Sequence, residues 1–337
     1  MEFIRELKEN MSDTDLAVLA EKYRPKKLED VVGQEHIIPH LRKFVENKNI
    51  PHMLFSGPPG VGKTTAAKAL AKELYGSSWK NYYIEMNASD ERGIDTIRDK
   101  VKTYARTGIV GEKFKIIFMD EADAVTKDAQ NALRRVIEMN SHRCRFILSC
   151  NYPNKIIDPI IDRCVVFRFR SIQPKDMQLL LNKIIETEGI NITKSASYLL
   201  AVLSNGSMRR ALNTLNIIKL ANIENVNDDV IYQITGYVDD GHVQTLLLAI
   251  RKGEIEPVDK FMDNLLNTKV YAPQEIIESL RRLLKDSKVL PREAKLKALT
   301  MIGDVEFRIS MGSSPEIQLK TFAVYLISLY DKYGSKS

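Results

Sequence analysis

Apolar and polar positions follow two different rhythms along this 337-residue chain, and the change comes near Phe169. Before it, five compact apolar runs stand out: HMLFSG, YYIEMN, KIIFMD, RFILSC and VVFRF. Each leads into a turn or a stretch of helical period. Strands alternating with helices predict a parallel sheet covered on both faces. The run Val165-Val166-Phe167 reads as a buried strand within that sheet. After Phe169 the strand signals stop. From Pro174 onward MQLLLNKIIETEG, ASYLLAVLSNG and RRALNTLNIIKLAN form one helical cluster, which ends near VNDDVIYQITG. HVQTLLLAIRKG, EPVDKFMDNLLN, APQEIIESLRRLLKDS, PREAKLKALTMIGDVEFRIS and PEIQLKTFAVYLISLYDKY form a second. Several open on a proline near the first turn, where its missing N–H is harmless. Their apolar stripes are core by default. The pattern predicts an extension over residues 1–20, an α/β domain over 21–170, a small helical domain over 171–236 and a helical bundle over 237–337, with a hinge from Tyr237 to Gly241.

Length agrees, since a chain of this size exceeds one ordinary core and suggests two or three domains. Composition adds little: 44% hydrophobic and 28% charged residues describe an ordinary folded protein. No apolar run reaches the length of a membrane span. The start, MEFIRELKENMSDTD, has neither an apolar signal core nor a transit pattern, which predicts an intracellular protein. Cys144, Cys150 and Cys164 are odd in number and lack CxxC spacing, so buried free thiols are expected rather than a zinc site or disulfides. A net charge of +6 suits a nucleic-acid partner without specifying one.

Candidate chemistry begins with GPPGVGKT, which fits G-x-x-x-x-G-K-[ST] in full between a strand-like and a helix-like segment. Gly57, Pro58, Pro59, Gly60, Val61, Gly62, Lys63 and Thr64, with Thr65 behind them, make the candidate phosphate loop. Its glycines let backbone N–H groups turn inward as an anion nest at a helix N-terminus. Lys63 is placed to reach the outer phosphates of ATP and Thr64 to hold magnesium. In KIIFMDEAD a buried strand runs straight into acids, which puts Asp120 beside the metal. Glu121 can then orient and deprotonate water, which points to hydrolysis rather than kinase chemistry. The bland alternative makes Asp120, Glu121 and Asp123 a solvated loop. Asn151 ends the next strand, where an amide can bond the water or the γ-phosphate, although asparagine is also a routine turn residue there. Arg209 opens a helix in the small domain and either reaches back to the nucleotide or serves a domain interface. Arg163 sits just before the last strand; by itself it reads as a surface arginine paired with Asp158 or Asp162.

Together AEKYRPKKLEDVVGQ, GPPGVGKT, NASDERGID, MDEAD, LSCN, DRC and GSMRRALN resemble, in order and spacing, the AAA+ clamp-loader ATPases. Among these the chain is most similar to replication factor C small subunits of archaeal type, over roughly residues 20 to 333. The resemblance implies a P-loop AAA+ domain, a three-helix lid and a helical collar that closes a five-subunit ring with a large subunit and other small subunits. It implies that Arg163 completes the ATP site of a neighbouring subunit in trans, its family motif being Ser-Arg-Cys. Asp162 stands where the family has serine, which leaves the rate and regulation of that arginine open. Tyr23, Arg24 and Pro25, with Val32, match the segment against the adenine. Asn151 matches a sensor, and Arg209 the lid arginine at the γ-phosphate. Arg92, Arg98 and Lys155 match residues that track the backbone of primer–template DNA, contacts that are salt-dependent and indifferent to sequence. The helix TKDAQNALRRVIEM is where the family meets the sliding clamp.

The function so implied is ATP-driven opening of a sliding clamp and its loading on primed DNA. The protein would be cytoplasmic in a prokaryote and nuclear in a eukaryote. Two alternatives stand beside it: a nucleotide-binding scaffold subunit that hydrolyses little, and another DNA-associated AAA+ motor. For the second the expected aromatic pore loop or substrate domain is missing from the sequence.

Overall fold

The computed structural model describes residues 18–88, 94–106, 114–237, 240–267, 273–286 and 290–333. Residues 1–17 of the expected N-terminal extension lie outside these, as do Val238 and Asp239 of the expected hinge. The described chain divides into two compact units, one ending at Glu224 and one beginning at Asn225.

The first unit is built on the five expected strands: β1 (Met53–Ser56), β2 (Tyr83–Asn87), β3 (Lys115–Asp120), β4 (Cys144–Cys150) and β5 (Val165–Arg168). All neighbours pair in parallel, in the order β2-β3-β4-β1-β5. Nearly every residue of β1, β3 and β4 is buried, because helices cover both faces. One face packs Phe55, Leu70, Phe118 and Ile147 in a single cluster, and the other packs Leu54, Met119, Phe146 and Leu148. The carboxyl ends of β1, β3 and β4 lie side by side, and the phosphate loop, the acids and Asn151 leave the sheet there. Open α/β sheets bind ligands at such an edge.

The expectation of a buried β5 is overturned. It is an edge strand, with Val165 43% and Val166 37% exposed, and only Phe167 turns inward. The Phe167 ring meets Phe55 edge-on at 5.8 Å. An apolar run does not reveal whether its strand has neighbours on both sides. The three cysteines are free, but Cys164, just ahead of this edge, is only half-buried, whereas Cys144 and Cys150 are buried.

The same unit contains α1 (Val18–Lys22), α2 (Ile38–Glu46), α3 (Lys63–Tyr75), α4 (Trp79–Tyr82), α5 (Ile94–Arg106), α6 (Lys127–Asn140) and α7 (Asp158–Ile161). After β5 come α8 (Pro174–Glu188), α9 (Lys194–Leu203) and α10 (Met208–Leu220). Thr193 and Ser207 cap the last two, each accepting a backbone N–H at 3.2 and 3.4 Å. Gln34 is fully buried and fastens the segment before the sheet to the segment after it. Its Nε2 donates to the Arg170 carbonyl at 2.8 Å, and its Oε1 accepts from the Arg170 N–H at 3.1 Å.

The second unit is all-helical: α11 (Asp228–Thr235), α12 (Asp240–Arg251), α13 (Ile255–Asn267), α14 (Pro273–Asp286), α15 (Arg292–Ser310) and α16 (Pro315–Tyr333). Leu246, Met262, Ile277, Leu284, Ile302 and Phe322 belong to one shared core. Among the described residues no helix is long and apolar enough to cross a membrane.

Candidate nucleotide site

Between β1 and α3 the loop 57–62 turns on glycines for steric reasons. A Cβ at Gly57, whose φ is +151°, would stand 2.4 Å from the Phe169 carbonyl oxygen. One at Gly60 would stand 2.0 Å from the Ser207 hydroxyl. Gly60 is therefore also where the loop touches α10, whose Met208 N–H donates to the Gly60 carbonyl at 3.1 Å. The loop 57–62 and the start of α10 are thus joined by backbone.

Lys63 opens α3 and is only 8% exposed. Its ammonium donates to the carbonyls of Gly57 and Pro58 at 2.6 and 2.9 Å and to Asn151 Oδ1 at 2.8 Å. All three partners are neutral oxygens. Desolvation therefore pulls the lysine pKa below its ordinary value, against the opposing field of Asp120. A buried cation held by neutral oxygens at a helix N-terminus suits an anionic ligand. Gly57 and Pro58 serve here through their carbonyls, while Pro59, Gly60, Val61, Gly62, Thr64 and Thr65 line the cavity with Lys63.

Thr64 Oγ1 donates to Asp120 Oδ2 at 2.8 Å, so the two expected metal-binding side chains already meet. Asp120 Oδ1 accepts the N–H of Glu121 at 3.0 Å. Glu121 itself has a left-handed backbone, φ 53° and ψ 38°, which is uncommon for a residue with a side chain. That turn puts Glu121 on the cavity wall rather than continuing the strand. Asp123 is no solvated loop residue. Its Oδ2 accepts the N–H groups of Asn151 and Tyr152 at 3.2 and 3.0 Å and so ties the acidic turn to the end of β4.

The cavity has two distinct ends. Lys63, Thr64, Asp120, Glu121, Asn151 and Arg209 make one polar. Tyr23, Arg24, Pro25, Val31 and Val32 line the other, and Ile172, Leu180, Met208 and Leu212 complete it. A ligand with an anionic tail and a flat, weakly polar head fits that division. The sequence reading found every residue of the polar end but missed the four apolar residues after β5. Their spacing, Leu180 on α8 and Leu212 on α10, is ordinary core spacing.

Arg163 does not line the cavity of its own chain. It pairs with Glu138 at 2.5 Å and donates to the Pro159 carbonyl at 2.6 Å, so the expected partners Asp158 and Asp162 are replaced by an acid on α6. Lys155 lies beside Tyr152, its ammonium 4.9 Å from the ring centroid. Arg92 lies outside the described residues. Arg98 lies on the backbone of α5, and its side chain is likewise outside the description.

Gln130, also missed, is 2% exposed and joins the loop before α6 to the loop between β4 and α7. Its Nε2 donates to the carbonyls of Val125 and Lys155 at 3.0 and 2.9 Å, and its Oε1 accepts the Ile157 N–H at 2.9 Å. A signal was present, because Gln130 falls in register with Leu133 and Ile137 on the buried stripe of α6, where a polar side chain needs internal partners.

With this geometry in hand, residues 53–171 match the ATPase family associated with various cellular activities (AAA), and residues 238–324 match the replication factor C C-terminal domain. The replication factor C small subunit of Archaeoglobus fulgidus is 45% identical over 316 residues, which cover 94% of this chain and 98% of that protein. That of Methanococcus vannielii is 44% identical over 300 residues, 89% of this chain and 95% of that protein. The Thermotoga maritima RuvB Holliday junction branch migration motor superposes with a TM-score of 0.52 at 18% identity, over 74% of this chain and 86% of that one, a likeness of fold alone. The chain belongs to the replication factor C small subunits, within the AAA ATPases.

Proposed function

We propose that this chain is an ATP-hydrolysing subunit of a clamp loader. It would assemble with a large subunit and other small subunits into a five-membered ring that opens a sliding clamp and sets it on primer–template DNA. The observation that carries the reading is the complete polar end of the cavity, Lys63, Thr64, Asp120, Glu121 and Asn151, in a chain that also has the family's C-terminal helical domain.

In this reading Lys63 exchanges neutral oxygens for those of the β- and γ-phosphates. Thr64 and Asp120 hold Mg²⁺, which would neutralise phosphate charge. Glu121 takes a proton from the attacking water as its oxygen bonds to the γ-phosphorus and the bond to ADP breaks. Asn151 orients that water, and Arg209 brings positive charge from the lid. Tyr23, Arg24, Pro25 and Val32 receive the base, and Arg163 serves the next subunit's site. The relatives named above are archaeal, so a cytoplasmic protein working on the chromosome is the matching location.

Steady-state ATP hydrolysis by the assembled ring tests this, measured with no DNA, blunt duplex, or primer–template plus the cognate clamp. We expect primed DNA to raise turnover and the clamp to change it further. Hydrolysis indifferent to both would sink the loader reading, and no hydrolysis at all would favour a scaffold subunit.

A proposed phosphate contact has its own signature. Lys155→Ala should weaken DNA binding for every sequence and flatten the slope of log affinity against log salt by about 0.9, the release of one counterion. An unchanged slope in a salt titration would remove Lys155 from the DNA surface.

A further inference from the structure

The last residue of α8 is an acid in an unusual place. Glu188 sits where the helix dipole disfavours negative charge, and its side chain is only 3% exposed. A carboxylate in that position is costly unless it is paired. Here it is paired three times. Oε1 accepts from the Lys22 ammonium at 2.6 Å and from the Tyr23 hydroxyl, and Oε2 accepts from the Lys219 ammonium. These donors hold the carboxylate well below its ordinary value, at about 2, so it remains charged at every working pH. The phenol is shifted upward, chiefly by the same hydrogen bond, and stays a donor.

What matters is which elements these side chains belong to. Tyr23 follows α1 and is part of the cavity wall. Glu188 ends α8, which supplies Leu180 to the same cavity two turns earlier. Lys219 lies near the end of α10, two turns beyond the lining residue Leu212. One carboxylate therefore ties Tyr23 on the cavity wall to two helices, α8 and α10, that line the same cavity.

We propose that Glu188 is a positioning residue for nucleotide binding, a latch that holds Tyr23 and the two lid helices at the spacing the nucleotide needs. The proposal rests on the ATP-site reading above. Glu188 touches no ligand; it acts by setting where Tyr23, Leu180 and Leu212 stand. Opening the latch leaves Lys63, Thr64, Asp120, Glu121 and Asn151 in place, and the Met208 N–H bond to Gly60 still anchors the start of α10 that carries Arg209, so the cost falls on affinity rather than on the chemical step.

The test is a titration of the assembled protein with a fluorescent N-methylanthraniloyl ATP, alongside the KM and kcat of ATP hydrolysis and the melting temperature without nucleotide. Glu188→Gln should raise Kd and KM about 5- to 30-fold, the usual size of a coupling between sites, with kcat at saturating ATP within about twofold of the parent. Glu188→Asp should recover part of the loss. Tyr23→Phe removes only the hydroxyl, keeps the ring and leaves the carboxylate with both lysines, so it serves even if Glu188→Gln does not fold. It should also raise Kd, and the double variant should be no weaker than the weaker single one. A lower melting temperature with unchanged Kd in Glu188→Gln or Tyr23→Phe would overturn the latch and leave the site reading standing. Multiplying effects in the double variant would overturn it too. Failure of the parent protein to bind the analogue or hydrolyse ATP would overturn both.

Discussion

Changing Glu121 to glutamine should leave nucleotide bound while turnover falls by about 10²- to 10⁴-fold, the range lost when a positioned general base is removed. The geometry makes this a clean experiment. The contacts described for Glu121 are made by its backbone, the N–H donated to Asp120 and the carbonyl that accepts from Ala124, so the amide disturbs no buried network. Its left-handed backbone is set by the turn after β3 and suits glutamine no worse than glutamate. Glutamine can still orient a water but cannot take its proton. The checks are nucleotide binding within about threefold of the parent and a single-turnover rate that falls as far as the steady-state rate. Retained hydrolysis would mean that another group accepts the proton, and the assignment of Glu121 would fail.

The second large effect is expected at Arg163. If it serves a neighbouring site, Arg163→Ala should lower turnover of the assembled ring by roughly 10³- to 10⁵-fold, the range for an arginine that meets the transferring phosphoryl group. The variant should still bind nucleotide in its own cavity, which Arg163 does not line. Lys63→Ala should be equally silent for the opposite reason. Mixing the two should restore a fraction of the activity, since some interfaces then join an intact cavity to an intact arginine. Subunit exchange without recovery would exclude action in trans.

The contact with Glu138 bears on this. The arginine is held at 2.5 Å by an exposed acid on α6, and an exposed pair of this kind is worth only about 0–1 kcal/mol. Letting go of Glu138 to reach a phosphate is therefore cheap compared with the charge stabilisation gained. Asp162, the departure from the family pattern, makes no contact with Arg163 among the bonds described, so Glu138 rather than Asp162 is the acid that competes for the guanidinium.

Much of the site was legible in the residues alone, because its chemistry is encoded locally. A phosphate loop needs glycines at fixed offsets from a lysine, and GPPGVGKT carries them in eight consecutive residues. The acids must follow a buried strand immediately, and KIIFMDEAD does so. Helical and strand periods likewise depend on near neighbours, so the sheet, the helices that follow it and the C-terminal bundle are legible in the residues. Short-range order of this kind is a property of the segment itself.

What the tertiary structure alone decided involves partners far apart in the chain. Whether β5 is central or an edge depends on where the other strands lie, so its exposed valines could not be foreseen. Gln34 meets Arg170, Gln130 meets Lys155 and Ile157, Arg163 meets Glu138, and Glu188 meets Lys22, Tyr23 and Lys219. The buried stripe of α6 shows that Gln130 needs partners, but no periodic pattern names the partner in any of these pairs, since a side chain's donors and acceptors are satisfied by whatever the fold brings near. The sequence by itself determined which residues can carry the chemistry. The packing of distant segments determined how the cavity around them is held open, closed and aligned, because burial obliges each polar group to find a partner wherever the fold places one.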